Sequence, residues 1–281
     1  MDAAQNSFPT VLDGARFLLG ETCEILNELK ARYMIVGGWT PFLRNKSKLI
    51  HPGTKDVDVL FEDGYISGNL GNIIATFLNR GFLPSAKHDF QLLKEIKVGG
   101  RTLVYNVDLL HPSESQENPH LFVDHLNLQL PESAFELQSR FVRSIVLGDC
   151  EILFDGLSEP FSFDYQDASG SGRRVTIPLM DFVGLLASKT KSIANLKRQR
   201  DAFDVYLTFL QPELNLTEKI NSLSDATISE LSEILPELCT QIEATENVFD
   251  TNVRRFCTPP HAAPAKYVAE RLRGIFHDVF Y

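Results

Sequence analysis

The chain has 281 residues, a formal net charge of −10, 43% hydrophobic residues and 23% charged residues. These proportions are typical of a globular protein that is long enough to bury a substantial core. The acidic balance argues against a protein that grips long stretches of DNA, because that activity requires a basic face. Any contact with nucleic acid is therefore expected to be local.

The sequence also indicates where in the cell the protein is expected. No apolar run approaches the roughly 18 residues that a membrane-spanning helix needs, and the start of the chain lacks the pattern of a signal peptide. The four cysteines are scattered without C-x-x-C spacing, which argues against a zinc site and against a disulfide scaffold; they are Cys23, Cys150, Cys239 and Cys257. We expect a cytoplasmic protein with no membrane partner.

Hydrophobic periodicity predicts a mixed α/β first half. Apolar residues at helical spacing predict helices over 11–30 and 68–80, the second ending at Gly81. Short apolar or alternating runs predict strands at Tyr33–Val36 and Asp56–Phe61. Residues 39–45 are expected to form one or two helical turns, and His51-Pro52-Gly53 a loop.

Farther along, the β-rich segments 90–98 and 102–110 flank Gly99-Gly100-Arg101, which is a hairpin signal. One or two further strands are expected within Arg143–Phe154. The polar, Gly/Ser-rich stretch 155–173 is predicted to be a loop. Arg174–Ile177 is predicted to be the last strand, with Pro178 at the first position of the helix that follows.

The second half is predicted to be helical. Apolar stripes at helical spacing follow Leu179, and an acidic helical stretch from Glu213 to Asp250 reads as solvated helix faces. Prolines at 259, 260 and 264 precede a last helix at 265–279. The order of elements predicts an α/β (α+β) domain over 1–175 and a helical C-terminal domain over 176–281.

Chemistry is suggested first by Asp56-Val57-Asp58. Residues two apart on a strand point to the same face, so these carboxylates repel each other unless a cation lies between them. Asp108 is a third acid on a mostly apolar strand. If its strand lies beside the first, the three carboxylates converge. Such an oxygen-rich group suits two Mg²⁺ or Mn²⁺ ions.

Two other features accompany the acids. Gly37-Gly38 ends the first strand, and seventeen residues separate Gly38 from Asp56. Glycines there let the backbone approach a phosphate closely. Five basic residues fall within twelve positions of an otherwise acidic chain, from Lys189 to Arg200. Lys189 directly follows an apolar helix stripe and is a candidate to reach a triphosphate.

The order of these motifs resembles the nucleotidyltransferase superfamily, which is named for DNA polymerase β. The motifs are GGW, T-x-DVD, VDLL, LLASK and RDAFDVYLTFL. The sequence is most similar to the AbiEii-type abortive-infection toxins of bacterial toxin–antitoxin systems. In that branch Gly-Gly often replaces Gly-Ser, T-x-D-x-D follows, and a later helix carries a lysine and a basic-Asp-x-x-Asp run. The resemblance covers roughly residues 33–110 and 174–210.

The resemblance implies a nucleotidyltransferase core, with a mixed β-sheet flanked by helices, that uses ATP or another nucleoside triphosphate and two metal ions. Asp56, Asp58 and Asp108 would bind the metal, and Asp108 would also help to deprotonate the acceptor hydroxyl. Gly37 and Gly38 would hold the triphosphate.

The same resemblance implies roles outside the acids. Lys189 would contact phosphate, and Asp204 would complete the nucleotide site or brace it through Arg200. Trp39 stands where many superfamily members have a serine, so Thr40 is the hydroxyl available for nucleotide binding. The acceptor would be an RNA end or a protein hydroxyl, with a cognate antitoxin as a further partner.

Simpler interpretations stand beside each of these roles. The D-x-D pair is also typical of a strand end or a surface face, and Asp108 of a capping acid before His111-Pro112. Lys189 is also typical of a solvated helix lysine, and Arg200 with Asp204 of an ordinary i,i+4 ion pair. His51 is expected to be an exposed loop histidine. At the level of function, the alternatives are a small-molecule nucleotidyltransferase of the antibiotic-modifying type and a non-catalytic binding module with the same fold.

Overall fold

A computed structural model of the protein describes residues 7–62, 65–85, 87–112, 145–146, 150–193, 195 and 197–280. The chain divides into two compact units. The first comprises Met1–Gly37, Thr54–Glu151 and Pro160–Leu179. The second comprises Gly38–Gly53, Ile152–Glu159 and Met180–Tyr281. The helical unit therefore includes two short segments that come before its main part in the sequence.

The first unit is built on a mixed β-sheet. Among the described residues the strands follow the order β3-β4-β5-β2-β1-β8-β7, and β6 pairs with β5. Their bounds are β1 Tyr33–Val36, β2 Val57–Phe61, β3 Leu83–Pro84, β4 Gln91–Val98, β5 Arg101–His111, β6 Ile145–Val146, β7 Ser158–Gln166 and β8 Gly172–Met180. The central pair, β2 and β5, is parallel, whereas β1 runs antiparallel to β2 and β4 antiparallel to β5.

Two helices cover one face of this sheet. They are α1 (Val11–Glu28), which packs on β4 and β5, and α3 (Tyr65–Asn79), which packs on α1. Thr10 caps α1 through a capping box with Asp13, which satisfies two backbone donors at the helix start. Against this layer β2 and β5 present buried residues at alternate positions, so the sheet has a core face and a second, more polar face.

The β4–β5 hairpin fixes register across half of the sheet. Gly99 and Gly100 both have positive φ, +54° and +78°, as a two-residue turn of type I′ requires. This turn makes Val98 the partner of Arg101 and carries the pairing back as far as Gln91 with Asp108. The hairpin predicted around the glycine pair is confirmed.

The second unit is helical. Its elements are α2 (Trp39–Leu43), α4 (Phe182–Lys189), α5 (Gln199–Thr208), α6 (Leu216–Asn221), α7 (Asp225–Ala244), α8 (Glu246–Phe256) and α9 (Pro264–Phe280). The helix α9 packs on α7 and α8, α8 on α5, and α2 on α4 and α5. Apolar stripes such as Leu231, Leu235, Leu238 and Ile242 form its core. Among the described residues, no helix is long and apolar enough to span a membrane.

The predicted mixed α/β architecture with C-terminal helices is confirmed, but two local predictions are wrong. Residues 155–173 are not a loop, because β7 runs through Ser158–Gln166 and buries Phe163 and Tyr165 at alternate positions. Pro178 does not begin a helix. It lies within β8, and α4 begins at Phe182 because the Asp181 side chain accepts a hydrogen bond from the Gly184 N–H.

Two further predictions concern the domain boundary and the strands expected within Arg143–Phe154. The boundary predicted near residue 175 lies inside β8. Of the strands expected within Arg143–Phe154, the described residues contain β6, whereas Glu151–Phe154 forms a 3₁₀ turn. The rest of that segment lies outside the described residues.

Candidate active site

Two of the predicted acids are direct neighbours in the sheet. In the parallel pairing of β2 with β5, Asp58 lies opposite Asp108. Neighbouring strands are about 4.7–4.9 Å apart, and aligned residues of parallel strands point to the same face. Val57 and Val107, one position earlier, are fully buried on the core face. The two half-buried carboxyl groups therefore share the opposite, polar face.

Asp56 lies in a bend just before β2, and its side chain is exposed. Its neighbour Lys55 places Nζ 5.1 Å from the centroid of the Tyr105 ring, and Tyr105 is buried on the core face together with Val107. The negative charge of Asp56 also acts on the carboxyl of Asp108, which puts the two acids within electrostatic reach.

The environment of Asp108 favours its protonated form. Burial raises the pKa of Asp108, and the charge of Asp56 raises it further. Hydrogen bonds from the side chains of Asn106 and Gln91 oppose this shift, as does His88. Asn106 Nδ2 donates to Asp108 Oδ1 at 2.7 Å. The group is thus a carboxyl with a raised pKa, held in place by two amides.

Gly37 closes over Asp58. Val36, the last residue of β1, is the register partner of Asp58, and Gly37 follows with a φ of +71°. A Cβ at this position would overlap an oxygen of the Asp58 carboxyl group. Both the left-handed backbone and the close approach therefore require glycine.

The donor chemistry at this face fits a hard divalent cation, because it offers carboxylate and amide oxygens and no sulfur. As the side chains stand, however, no three His, Cys, Asp or Glu residues of the described part of the chain are grouped to hold a metal ion. Asp58 and Asp108 are aligned, and the exposed Asp56 side chain would have to turn toward them. The site for two metal ions stays a prediction.

The remaining predicted site residues belong to the second unit. Gly38 precedes α2 with an ordinary helical φ of −68°, so its backbone does not require glycine. Thr40 is fully buried, and its hydroxyl donates to the Met180 carbonyl at 3.2 Å. The fold already uses this hydroxyl, and a nucleotide-binding role for Gly38 and Thr40 stays a prediction.

Lys189 is not a solvated helix lysine. Its side chain is only 4% exposed, and Nζ donates to Asp201 Oδ1 at 2.7 Å. Ser192 and Arg198 bind the other oxygen of the same carboxylate. Burial disfavours the charged form of Asp201, but attraction to Lys189 and Arg198 outweighs burial and lowers the pKa of Asp201. Lys189 is therefore one partner of a buried ion pair, and its contact with phosphate stays a prediction.

The expectation for His51 is wrong. The side chain is 1% exposed, and its Nε2 lies 3.0 Å from Oδ1 of Asp204, which is itself fully buried. The three-residue loop pattern gave no hint of this burial, because the partner is 153 residues away in sequence. Asp204 is also 3.7 Å from Arg200 Nε, as the i,i+4 interpretation expects.

Asn106 and Gln91, which bind the Asp108 carboxyl group, are not among the predicted site residues, although the sequence holds a signal for both. Asn106 is two positions before Asp108 on the same strand, so the two side chains share a face. The two-residue turn at Gly99-Gly100 sets the hairpin register, and counting back from it pairs Gln91 with Asp108.

A scan for known protein families gives no match to this sequence, and a comparison with curated proteins also gives none.

Changing Gly37 to alanine tests the packing against Asp58. We expect Gly37→Ala to lower the free energy of unfolding by about 2–5 kcal/mol, because strain of the left-handed backbone adds to overpacking against the carboxyl group. The matched control is Gly100→Ala, which has a similar φ of +78° and no atom within 4 Å of the added Cβ. It should lose only the backbone contribution of about 1–2 kcal/mol. Urea unfolding measures both, and equal losses would refute the contact.

The pH dependence of stability tests the environment of Asp108. Because folding raises its pKa, ionisation of Asp108 destabilises the protein as the pH rises from the unfolded-state value through the folded-state value. We expect Asp108→Asn to raise the melting temperature by about 2–4 °C at pH 7 in the presence of a chelator. The gain should vanish in acid, where the wild-type carboxyl group is protonated.

Glu95→Gln is the control for this measurement, because Glu95 is exposed on β4 at a position of the same face. A surface substitution of this kind should change stability by less than about 0.5 kcal/mol. A melting temperature of Asp108→Asn that is unchanged or lower at pH 7 would contradict the proposed burial effect.

The buried ion pair predicts a large cost for Lys189→Met. The Asp201 carboxylate would stay buried with only Arg198 and Ser192 as partners, so we expect a loss of about 3 kcal/mol at neutral pH. The loss should shrink in acid, because a group with a lowered pKa contributes stability only while it is ionised. Lys197→Met, at an exposed position, is the control. A Lys189 variant as stable as the control would mean that its ammonium group is not needed by the fold.

Proposed function

We propose that this protein is a metal-dependent nucleotidyltransferase. It would transfer a nucleoside monophosphate from a nucleoside triphosphate to an acceptor hydroxyl. The observation that carries the proposal is the register of Asp58 with Asp108 on adjacent parallel strands. Two carboxyl groups are held side by side at a half-buried position, where they repel each other unless a cation intervenes. The resemblance to the nucleotidyltransferase superfamily supports the same reaction.

In this proposal Asp56, Asp58 and Asp108 would hold divalent metal ions, which when bound neutralise phosphate charge and acidify the attacking hydroxyl. Asp108 would accept the hydroxyl proton as the general base. Asn106 and Gln91 would keep its oxygens oriented. The acceptor oxygen would form a bond to the α-phosphorus, and the bond to the leaving pyrophosphate would break.

Gly37 would complete the pocket for phosphate. Because it has no side chain, Gly37 leaves room beside the Asp58 carboxyl group that a Cβ would fill, so a phosphate oxygen on the shared cation could approach the backbone closely. Thr40, Lys189 and Asp204 are each bound to protein groups. The proposal therefore gives them no direct contact with the nucleotide.

The sheet surface beside the acids indicates which class of acceptor the site would suit. Asn106, Leu93 and Leu83 form one register row, and Val104 lies on the same face. Leu83 and Val104 are 47% and 46% exposed. A surface of amide and apolar groups suits a protein or small-molecule hydroxyl better than a polyanion, which needs basic groups. Transfer to an RNA end and binding of a cognate antitoxin stay predictions from the resemblance.

Nucleotide transfer tests the proposal directly. The protein is incubated with each α-labelled nucleoside triphosphate, Mg²⁺ or Mn²⁺, and total cell protein, RNA or small-molecule hydroxyl compounds. We expect label to enter one acceptor pool. Asp58→Asn and Asp108→Asn should reduce the rate by at least about 100-fold, because each removes a charge that the transition state needs.

The control is again Glu95→Gln, which removes one carboxylate from the same face and should leave the rate within about twofold. Full activity in either aspartate variant would overturn the assignment of the site. Absence of transfer by the wild-type protein, together with an unchanged Mn²⁺ affinity in Asp58→Asn, would overturn the proposed function and favour a non-catalytic binding module.

A further inference from the structure

The loop that leads into β2 is fixed by side chains from a distant helix. The chain leaves the second unit at Gly53 and enters the first at Thr54, three residues before β2 begins at Val57. Gly53 has a φ of +86°, a conformation that glycine adopts without strain. Both of its backbone polar groups have side-chain partners.

His51 supports the N–H side. The Gly53 N–H donates to His51 Nδ1 at 3.0 Å. A ring nitrogen that accepts a hydrogen bond carries no proton, so the proton of the neutral imidazole lies on Nε2. Nε2 then donates to Asp204 Oδ1 at 3.0 Å. Asp204 thus selects the tautomer of His51 that can receive the Gly53 amide.

Arg200 supports the carbonyl side. Its Nη1 donates to the Gly53 carbonyl at 3.1 Å, and its Nε lies 3.7 Å from Asp204 Oδ2. That distance is too long for a hydrogen bond, yet the two opposite charges are close enough to attract each other. Asp204, on α5, therefore orients both His51 and Arg200, and both of them hold the same glycine.

The cluster combines ring packing with polar contacts, because the His51 ring lies against the rings of Phe42 and Phe203. His51, Asp204 and Arg200 are polar groups at buried or half-buried positions, and removing such groups from water costs free energy unless they bind one another. Their shared target is a single glycine at the entrance to the strand that carries Asp58. Fixing that point limits the freedom of residues 54–56, which lead from Gly53 to β2 and include Asp56.

We propose that His51, Asp204 and Arg200 are positioning residues that clamp the turn at Gly53 and so order the segment 54–58, which carries Asp56 and Asp58. The inference rests on the proposed function for its consequence, because ordered acids matter to catalysis only if they bind a metal ion. Asp204 then acts through His51 and Arg200 rather than on the nucleotide.

Hydrogen exchange tests the clamp without any assay of activity. Arg200→Met removes the donor to the Gly53 carbonyl, and amides of residues 54–58 should exchange at least about tenfold faster than in the wild-type protein. Amides of β5 between Val107 and Leu110 serve as the internal reference and should not change. Arg255→Met is the matched control, since Arg255 binds Gln199 instead of Gly53. Unchanged exchange in Arg200→Met would overturn the clamp.

Two substitutions of His51 separate its two hydrogen bonds. Asparagine places an acceptor near the position of Nδ1, whereas glutamine places a donor near that of Nε2. If the clamp acts through Gly53, His51→Asn should protect residues 54–58 better than His51→Gln. Faster exchange in His51→Asn than in His51→Gln would overturn the assigned tautomer and the clamp with it. Loss of protection in the β5 reference would mark a His51 variant that fails to fold. Hydrogen exchange in Arg200→Met would then decide whether the clamp exists.

Mn²⁺ binding tests the consequence for the acids. We expect Arg200→Met to weaken Mn²⁺ binding about 10–100-fold, the usual effect of removing a group that orients metal ligands, and Arg200→Lys to restore part of the loss. Faster exchange with an unchanged Mn²⁺ affinity would overturn the positioning role. If the wild-type protein bound no Mn²⁺ at all, the proposed function would fail, whereas hydrogen exchange would still decide whether the clamp exists.

Discussion

The parallel pairing of β2 with β5 is the constraint on which the rest of the candidate site depends. It sets Asp58 beside Asp108 at the spacing of neighbouring strands, which is about 4.7–4.9 Å. The apolar residues that alternate with them hold this register, because a slip of β2 by one residue would turn Asp58 into the core and expose Val57. The core therefore maintains an electrostatic repulsion that the polar face alone would relax.

The neighbours of this pair limit the cost of that repulsion. Asn106 and Gln91 donate hydrogen bonds to Asp108, while burial and Asp56 push its pKa upward. Burial and a neighbouring charge therefore act against two hydrogen bonds at the same carboxyl group. Gly37 contributes because it has no side chain, since a Cβ there would overlap the Asp58 carboxyl group. These features distinguish the pair from acids that merely end a strand.

The second unit shows how segments distant in sequence are used to hold a loop. The segment Gly38–Gly53 is held by side-chain hydrogen bonds to residues far along the chain. Thr40 and Arg44 donate to the Met180 carbonyl at the end of β8, and His51 binds Asp204 on α5. Lys189 and Asp204, which the resemblance assigned to the nucleotide site, each form a buried pair, Lys189 with Asp201 and Asp204 with His51. Buried charges need partners, and these partners fix the α4–α5 connection and the loop at Gly53.

Local patterns determined much of the architecture, because strand alternation, the glycine-pair hairpin and helical periodicity are properties of adjacent residues. They specified β1, β2, the β4–β5 hairpin and the C-terminal helices, and they predicted Asp56 and Asp58 on one face. The same counting would have paired Gln91 with Asp108. Tertiary structure alone decided that β2 and β5 align in parallel, that His51 is buried, and that Lys189 pairs with Asp201. Such contacts depend on which distant segments bury their apolar surface together, and no local pattern records that choice.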